Sequence, residues 1–438
     1  MELTSCITLA ASGQPWAQVP RGPNPALAKL PQIPSLDAAF ERMEFLSAEA
    51  TAETAVMPTL QHAHLAFDLV RAVYQSAMER DLSSSDFQRK TFGAAELANH
   101  ELDRHGHSIP AVAIAVPNAV PRGFLVAMPA GMGRLALRQA LARLFGDKRD
   151  ELDVETPRGW IPFPQLRIMV VSFGSSGGLR AFAKGFVKCF DNAMGTNLLS
   201  KARGRIHRGE EEINALLQAL GIAASLGCLV VEDINSRNAH PGKASELWDA
   251  LARFTEETGI PIVCILTPGA VAALSEQCSA IQALSCAGQY HMPAHASNSP
   301  HWRMEAEFIF ERYLRAIFKI EAPEWYFEVL WEETLGHTEL AYKLCAHLSR
   351  TWADFKRSEP TPEDLRTAAK AALVLERPHL EAIKTVVING GRFSKTSIRR
   401  HGDWLPLELV MRSVPGLEDD MGARIVYRAA VHEASTDA

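Results

Sequence analysis

Apolar positions recur along the middle of the chain in a steady rhythm. Gly123-Phe-Leu-Val-Ala-Met128 is a short apolar run ending at a glycine-rich turn, and Leu135 to Phe145 then repeats apolar residues at helical spacing. Leu166 to Ser172 reads as a second strand and Leu179 to Met194 as a helix. Ile213 to Leu226 is another helix, Cys228-Leu-Val-Val231 a third strand, Ala244 to Thr258 a helix, and Pro261 to Leu266 a fourth strand. Unbroken apolar runs of this length suit strands covered on both faces. Their alternation with helices predicts an α/β fold with a parallel sheet and helices on each side. Upstream, helical spacing predicts two helices between Leu36 and Arg80, joined near Pro58, after a Pro- and Gly-rich lead-in over residues 1–35. Beyond His301 the strand signal fades. Residues 303–385 read as helical, with Trp325, Trp331 and Trp352 as packing anchors and a helix start at Thr361-Pro362-Glu363-Asp364. Residues 386–438 show no clear periodicity. The expected organisation is an N-terminal arm with helices over 1–85, an α/β core over 86–300, a helical unit over 301–385 and a tail over 386–438.

Composition narrows the function classes. The chain has 438 residues, 47% hydrophobic and 22% charged, so a large core forms without staples. A formal charge of −6 excludes a whole-molecule basic field, and any nucleic-acid contact must come from local patches. Seven scattered cysteines without a CxxC pair read as reduced thiols, not as a disulfide framework or a zinc site. No apolar run reaches the roughly 18 residues that cross a bilayer, and no signal-like start is present, so the expectation is a cytoplasmic protein off the membrane.

The candidate chemistry lies at the strand ends. A phosphate-binding loop needs glycines so that backbone N–H groups can wrap the phosphates, a Lys to reach them, and a hydroxyl for Mg²⁺. The segment Pro129, Ala130, Gly131, Met132, Gly133, Arg134 and Leu135 lies between a strand and a helix, as such a loop must. Two glycines are in place. Met128 stands for the first glycine, Arg134 for the Lys and Leu135 for the hydroxyl. Glu232 and Asp233 end the third strand, where an acid pair would position Mg²⁺ and polarise water. Thr267 ends the fourth strand, where a hydroxyl would orient that water. These three are the catalytic candidates. Lys201, Arg203, Arg205 and Arg208 form a basic stretch suited to a DNA backbone, and Arg392, Lys395, Arg399 and Arg400 form a second. His100, His105 and His107, with Glu101 and Asp103, lack a spacing that would converge on a metal, and no metal site is expected.

The ordered set of these segments resembles the TnsC/TniB-type AAA+ ATPases that regulate DNA transposition. Besides the strand ends, the resemblance rests on Ser175-Ser-Gly-Gly-Leu179, Asp191-Asn-Ala-Met-Gly195-Thr196-Asn197, Thr258-Gly-Ile-Pro-Ile-Val263 and Thr267-Pro-Gly-Ala270, and it spans roughly residues 100–385. It implies a P-loop AAA+ three-layer αβα core followed by an α-helical lid. It also implies ATP or ADP as ligand, oligomers with AAA+ subunits of the same or another kind, transposase or target-selector proteins as partners, and double-stranded DNA. The departures count against hydrolysis. Arg134 and Leu135 break the Walker A ending, so Mg²⁺ has no hydroxyl. Glu232-Asp233 reverses the usual acid order. The stretch Gln289 to Ser297 has His291 and His295 where the family tends to supply an Arg finger. The expectation is an assembly or targeting adaptor with weak or absent ATPase activity. Two other readings stay open: a working ATPase in which Arg134 binds ATP, and an interaction protein of another mobile-element or defence system that binds no nucleotide.

Overall fold

The computed structural model describes residues 24–48, 57–99, 115–146, 149–156, 159–275, 278–352, 359–388 and 394–412. The histidines at 100–107 and Arg392 lie outside the described residues.

Seven strands occur among the described residues. They are β1 (Gly123–Ala127), β2 (Arg149–Thr156), β3 (Gly159–Leu166), β4 (Ile168–Ser172), β5 (Cys228–Ile234), β6 (Ile262–Leu266) and β7 (Gly288–His291). Five form one parallel sheet in the order β4-β5-β6-β1-β7. Every position of β1 and β6 is buried, which requires cover on both faces of the sheet. The cover comes from two packed sets of helices. Leu36–Ala48 packs with Leu60–Glu79 and Arg134–Phe145, while Leu179–Met194, Glu210–Ala223, Pro241–Thr258 and Cys278–Ser285 pack among themselves. The parallel α/β expectation holds, and all four strands read from the sequence are present. At the start of β1 the approach is so close that a Cβ on Gly123 would lie 2.2 Å from the backbone of Leu284.

β2 and β3 form a separate antiparallel hairpin that the sequence reading did not find. On β2 the alternation is regular, with Leu152 and Val154 buried and Glu151, Asp153 and Glu155 exposed. Pro162 and Pro164 on β3 obscured the partner strand, because proline is depleted in strands and cannot donate to the ladder. A helix at Ser85–Asn99 also went unread, and it packs on helix Glu210–Ala223.

After β7 the chain becomes helical and builds a second core around Trp302, Phe310, Tyr326, Leu344 and Leu365. Helix Pro362–Ala372 starts as expected. Thr361 and Asp364 form a capping box, with the Thr361 N–H donating to Asp364 at 2.8 Å. Residues that showed no periodicity form two short helices, Lys395–His401 and Leu407–Met411. Ile398, Leu405, Leu409 and Val410 are buried in a third cluster with Leu340, Leu380 and Ala272, so this segment folds back onto the α/β unit. Among the described residues no helix is long and apolar enough to cross a membrane.

Gly123→Ala should destabilise the chain by about 3 kcal/mol or more, since backbone and not a movable side chain fills the space. Urea unfolding of the variant against the parent checks this, and an unchanged midpoint would contradict the packing described.

Candidate functional site

The strand order brings the sequence candidates together. β5, β6 and β1 are adjacent and parallel, so Glu232-Asp233, Thr267 and the glycine loop all leave the same carboxyl edge of the sheet. Open α/β sheets bind ligands at that edge.

The loop itself is tightly turned. Gly131 and Gly133 adopt φ of 81° and 76°, the left-handed region that glycine enters without cost, and Gly133 caps the helix Arg134–Phe145. A phosphate cradle needs N–H groups aimed at the ligand. Here the Ala130 N–H donates to the Asp403 carbonyl at 2.8 Å, and the Met132 N–H to the Pro129 carbonyl at 3.3 Å. The Gly131 carbonyl accepts from the Glu339 N–H at 2.9 Å. Pro129 is buried, and Met128 and Met132 are buried in the main core. Trp404, Leu340 and His337 crowd Gly131, all within 3.5 Å of where its Cβ would stand. Arg134 is half-buried at the first helical position. Leu135 is exposed and has no hydroxyl to offer a cation.

The acid pair sits on a β-bulge between Val231 and Ile234. Arg138, one turn along the loop helix from Arg134, binds Glu232 with Nη1–Oε1 at 2.7 Å, and the Glu232 side chain is only 16% exposed. The carboxylate that would face Mg²⁺ is already charge-paired. Asp233 is exposed and takes φ of 61°, a conformation Asp tolerates better than most residues. Its carbonyl accepts from Asn238 Nδ2 at 2.8 Å. Thr267 is fully buried and caps the following short helix. Its hydroxyl donates to Asp403 Oδ1.

Asp403 was not foreseen. Besides Thr267, it accepts from the Ser236 N–H on Oδ1 at 2.8 Å and from the Ser236 hydroxyl on Oδ2 at 2.8 Å. Glu408, further along, lies 3.4 Å from His291 Nδ1 at the end of β7. The terminal segment therefore crosses the ligand edge and touches the ends of β1, β6 and β7 and the turn after β5. Trp404 is stacked on His379 with ring centres 5.0 Å apart, and His379 meets His401 through their Nδ1 atoms at 3.0 Å. The local signals for this segment are a Ser cap at Ser394, a basic last turn at Arg399 to His401, and Pro406 with Glu408 at the second helix start. Arg138 was legible in principle, since positions 134 and 138 share a helix face.

Beside the loop is a cavity of about 490 Å³, lined by His62, Met128, Met132, Met292, His295 and Thr338, among others. His62 Nδ1 accepts from the Thr59 N–H at 3.1 Å, so the ring proton of the neutral form is on Nε2. Burial pushes the pKa of His62 down to about 4, of His295 to about 3 and of His337 to about 4. The cavity histidines His62 and His295 are thus uncharged at neutral pH. Among the described residues no group of three or more His, Cys, Asp or Glu side chains is placed to hold a metal ion.

The basic stretch is a helix, Leu199–Arg208. Arg205 is 1% exposed, its guanidinium donating to Glu212 at 3.2 Å and to the Leu97 carbonyl at 2.7 Å. Lys201, Arg203 and Arg208 are exposed, as are Arg399 and Arg400 in the terminal segment.

No family model and no curated protein matches the chain. Solved structures with a similar chain path include the ORC2 protein of Aeropyrum pernix in its ADPNP-ADP complexes, at TM-score 0.38 and 13% identity, covering 65% of this chain and 73% of that one. A Walker-type ATPase of Pyrococcus abyssi is similar at TM-score 0.40 and 14% identity, covering 67% and 85%. Likeness at this level bears on neither activity nor partners.

The buried titratable groups set a pH optimum for stability. Below pH 6.5 the unfolded chain takes up protons at His62, His295 and His337 that the folded chain refuses until about pH 3 to 4. Stability from these rings is therefore lost as pH falls through that window. Burial pushes the Glu305 carboxyl up to about 8, so its contribution is lost as pH rises from 4.5 through 8. Three rings outweigh one carboxyl below pH 6.5, and between pH 6.5 and 8 the carboxyl dominates. Urea titrations should show greatest stability near pH 6.5 and roughly 3 kcal/mol less at pH 5, with Glu305→Gln flattening the alkaline side.

Proposed function

We propose that the chain is an AAA+ ATPase-like protein of the kind that regulates DNA transposition, that it does not hydrolyse ATP, and that it works in the cytoplasm as an assembly and target-DNA adaptor between a transposase and target-selection proteins. One observation carries the loss of hydrolysis. The phosphate end of the site is closed by Trp404, Leu340 and His337 around Gly131, while Arg138 neutralises Glu232. The residues do not fit a magnesium–triphosphate group as they stand. Leu135 offers the cation nothing, and Asp403 brings a negative charge to the strand ends where phosphates would lie. The resemblance of the ordered motifs supports the choice of transposition regulators, and it supports oligomers with AAA+ subunits.

The DNA part of the proposal rests on the exposed face of helix Leu199–Arg208. Lys201, Arg203 and Arg208 point a local positive patch outward from a chain that is acidic overall. Such a patch binds phosphates by releasing counterions. Arg205 serves the interior instead, bracing the helix on Glu212 and Leu97.

A second reading is that ATP or ADP binds through atypical motifs, and the cavity beside the loop favours it. Its uncharged histidines, Met128 and Met132 suit a flat heteroaromatic base held without charge.

ATP turnover should stay at the background of the buffer. Glu232→Gln, which would trap ATP at a working site, should leave nucleotide retention unchanged, and a gain in retention would show that hydrolysis is real. In electrophoretic shifts at low salt the chain should retard duplex DNA, alone or with an active AAA+ ATPase of the resembled family. Alanine at Lys201, Arg203 and Arg208 should lower the salt slope by roughly 2 to 3. An unshifted band under both conditions removes the DNA role. Arg205→Ala should instead cost stability, by about 3 kcal/mol, because Glu212 loses its partner.

A further inference from the structure

Asp403 gathers its hydrogen bonds at the carboxyl edge of the sheet, where open α/β sheets bind ligands. Two N–H groups and two hydroxyls converge on this one residue. Its carboxylate takes the Ser236 N–H, the Ser236 hydroxyl and the Thr267 hydroxyl, and its carbonyl takes the Ala130 N–H of the glycine loop. Ser236 follows β5, Thr267 follows β6 and Ala130 follows β1, so the donors come from three separate strand ends. Gly269 makes the approach feasible. A Cβ there would stand 2.8 Å from Asp403 Oδ1 and 3.1 Å from the Gly402 carbonyl carbon.

We propose that these donors form an oxyanion site and that residues 394–412 are its built-in competitor, a plug that must swing out before a phosphate-bearing ligand can enter. The inference rests on the reading of this edge as a nucleotide-type site.

The plug is anchored like a displaceable element, not like part of the sheet. Its two helices are short, Lys395–His401 and Leu407–Met411, and among the described residues it pairs with no strand. Its apolar hold is Ile398, Leu405, Leu409 and Val410, packed on Ala272 and on helical-unit residues such as Leu340 and Leu380. Trp404 is the lever. It lies between Gly131 and His379, so withdrawing it clears the loop and the strand ends in one motion. The competition is electrostatic as well as steric. A second anion beside the Asp403 carboxylate is repelled, and its phosphate oxygens would need the donors that Asp403 already holds. Withdrawing the segment frees the Ala130 N–H, Ser236 and Thr267 together. Glu232 stays paired with Arg138, so the opened site binds without gaining a metal ligand.

The test measures binding of ADP and of inorganic pyrophosphate by calorimetry, without Mg²⁺, for the full chain and for the double variant Asp403→Ala, Trp404→Ala. The donors Ser236, Thr267 and Ala130 are intact in the variant. At least tenfold tighter binding of both probes in the variant is expected. Equal affinity in the two proteins, whether both bind or neither does, overturns the proposal. Should the variant not fold, hydrogen exchange on the unaltered chain decides. Millimolar pyrophosphate should speed exchange across 398–411 and slow it across 130–135, whereas unchanged exchange in both segments overturns the plug. A turnover assay with ATP and Mg²⁺ on the same variant separates the two readings. A variant that binds ADP at least tenfold more tightly than the full chain and also turns over ATP would retain the plug while sinking the proposed loss of hydrolysis. A variant with unaltered affinity and no turnover would do the reverse.

Discussion

The carboxylate of Asp403, bonded to Ser236 and Thr267 across the ends of two adjacent strands, is the contact around which the rest of the site is arranged. Each such bond to a charged group is worth about 1.5 to 3 kcal/mol, and all of them form only if the terminal segment crosses the sheet edge. That crossing brings Trp404 onto Gly131 and Glu408 towards His291. A single acidic residue thus joins the terminal segment, the glycine loop and the strand ends into one unit.

The acids that end β5 have partners or positions of their own. Glu232 finds its partner in Arg138, on the helix that the loop begins. In a P-loop ATPase the loop helix supplies a hydroxyl for the cation. Here the same helix supplies a cation of its own. The bulge at Glu232-Asp233 then places Asp233 in a left-handed turn at the surface, held by Asn238. Hydrolysis needs these groups bare and convergent. On the proposed reading Glu232 is paired with Arg138 and Asp233 is turned to the surface, which is what supports the loss of hydrolysis.

Much of the fold was legible from periodicity. The four strands read from the sequence are mostly apolar because both faces of a parallel sheet are covered. The helix start at Thr361 was legible because capping is local. The hairpin over 149–166 was not, since Pro162 and Pro164 contradict strand propensity while its register is fixed by cross-strand pairing. Arg205 looked like one of four exchangeable basic residues, and only packing shows it to be a buried strut. The terminal segment is too short and too mixed to carry a period, so neither its helices nor its destination could be read.

The glycine loop, the acid pair and Thr267 were named from the sequence alone, because strand ends and glycine turns are written in consecutive residues. So were Arg134 and Leu135, at the positions where the resembled family carries a Lys and a hydroxyl. What the sequence by itself determined is therefore the parallel α/β scaffold and the presence of a glycine loop, an acid pair and a Thr at its strand ends. What only the tertiary structure decided is the identity of the group that fills the gap. Asp403 lies 136 residues from Thr267 and 167 from Ser236 along the chain. No local rule links such distant positions, and their contact exists only once the helical unit has folded back across the sheet.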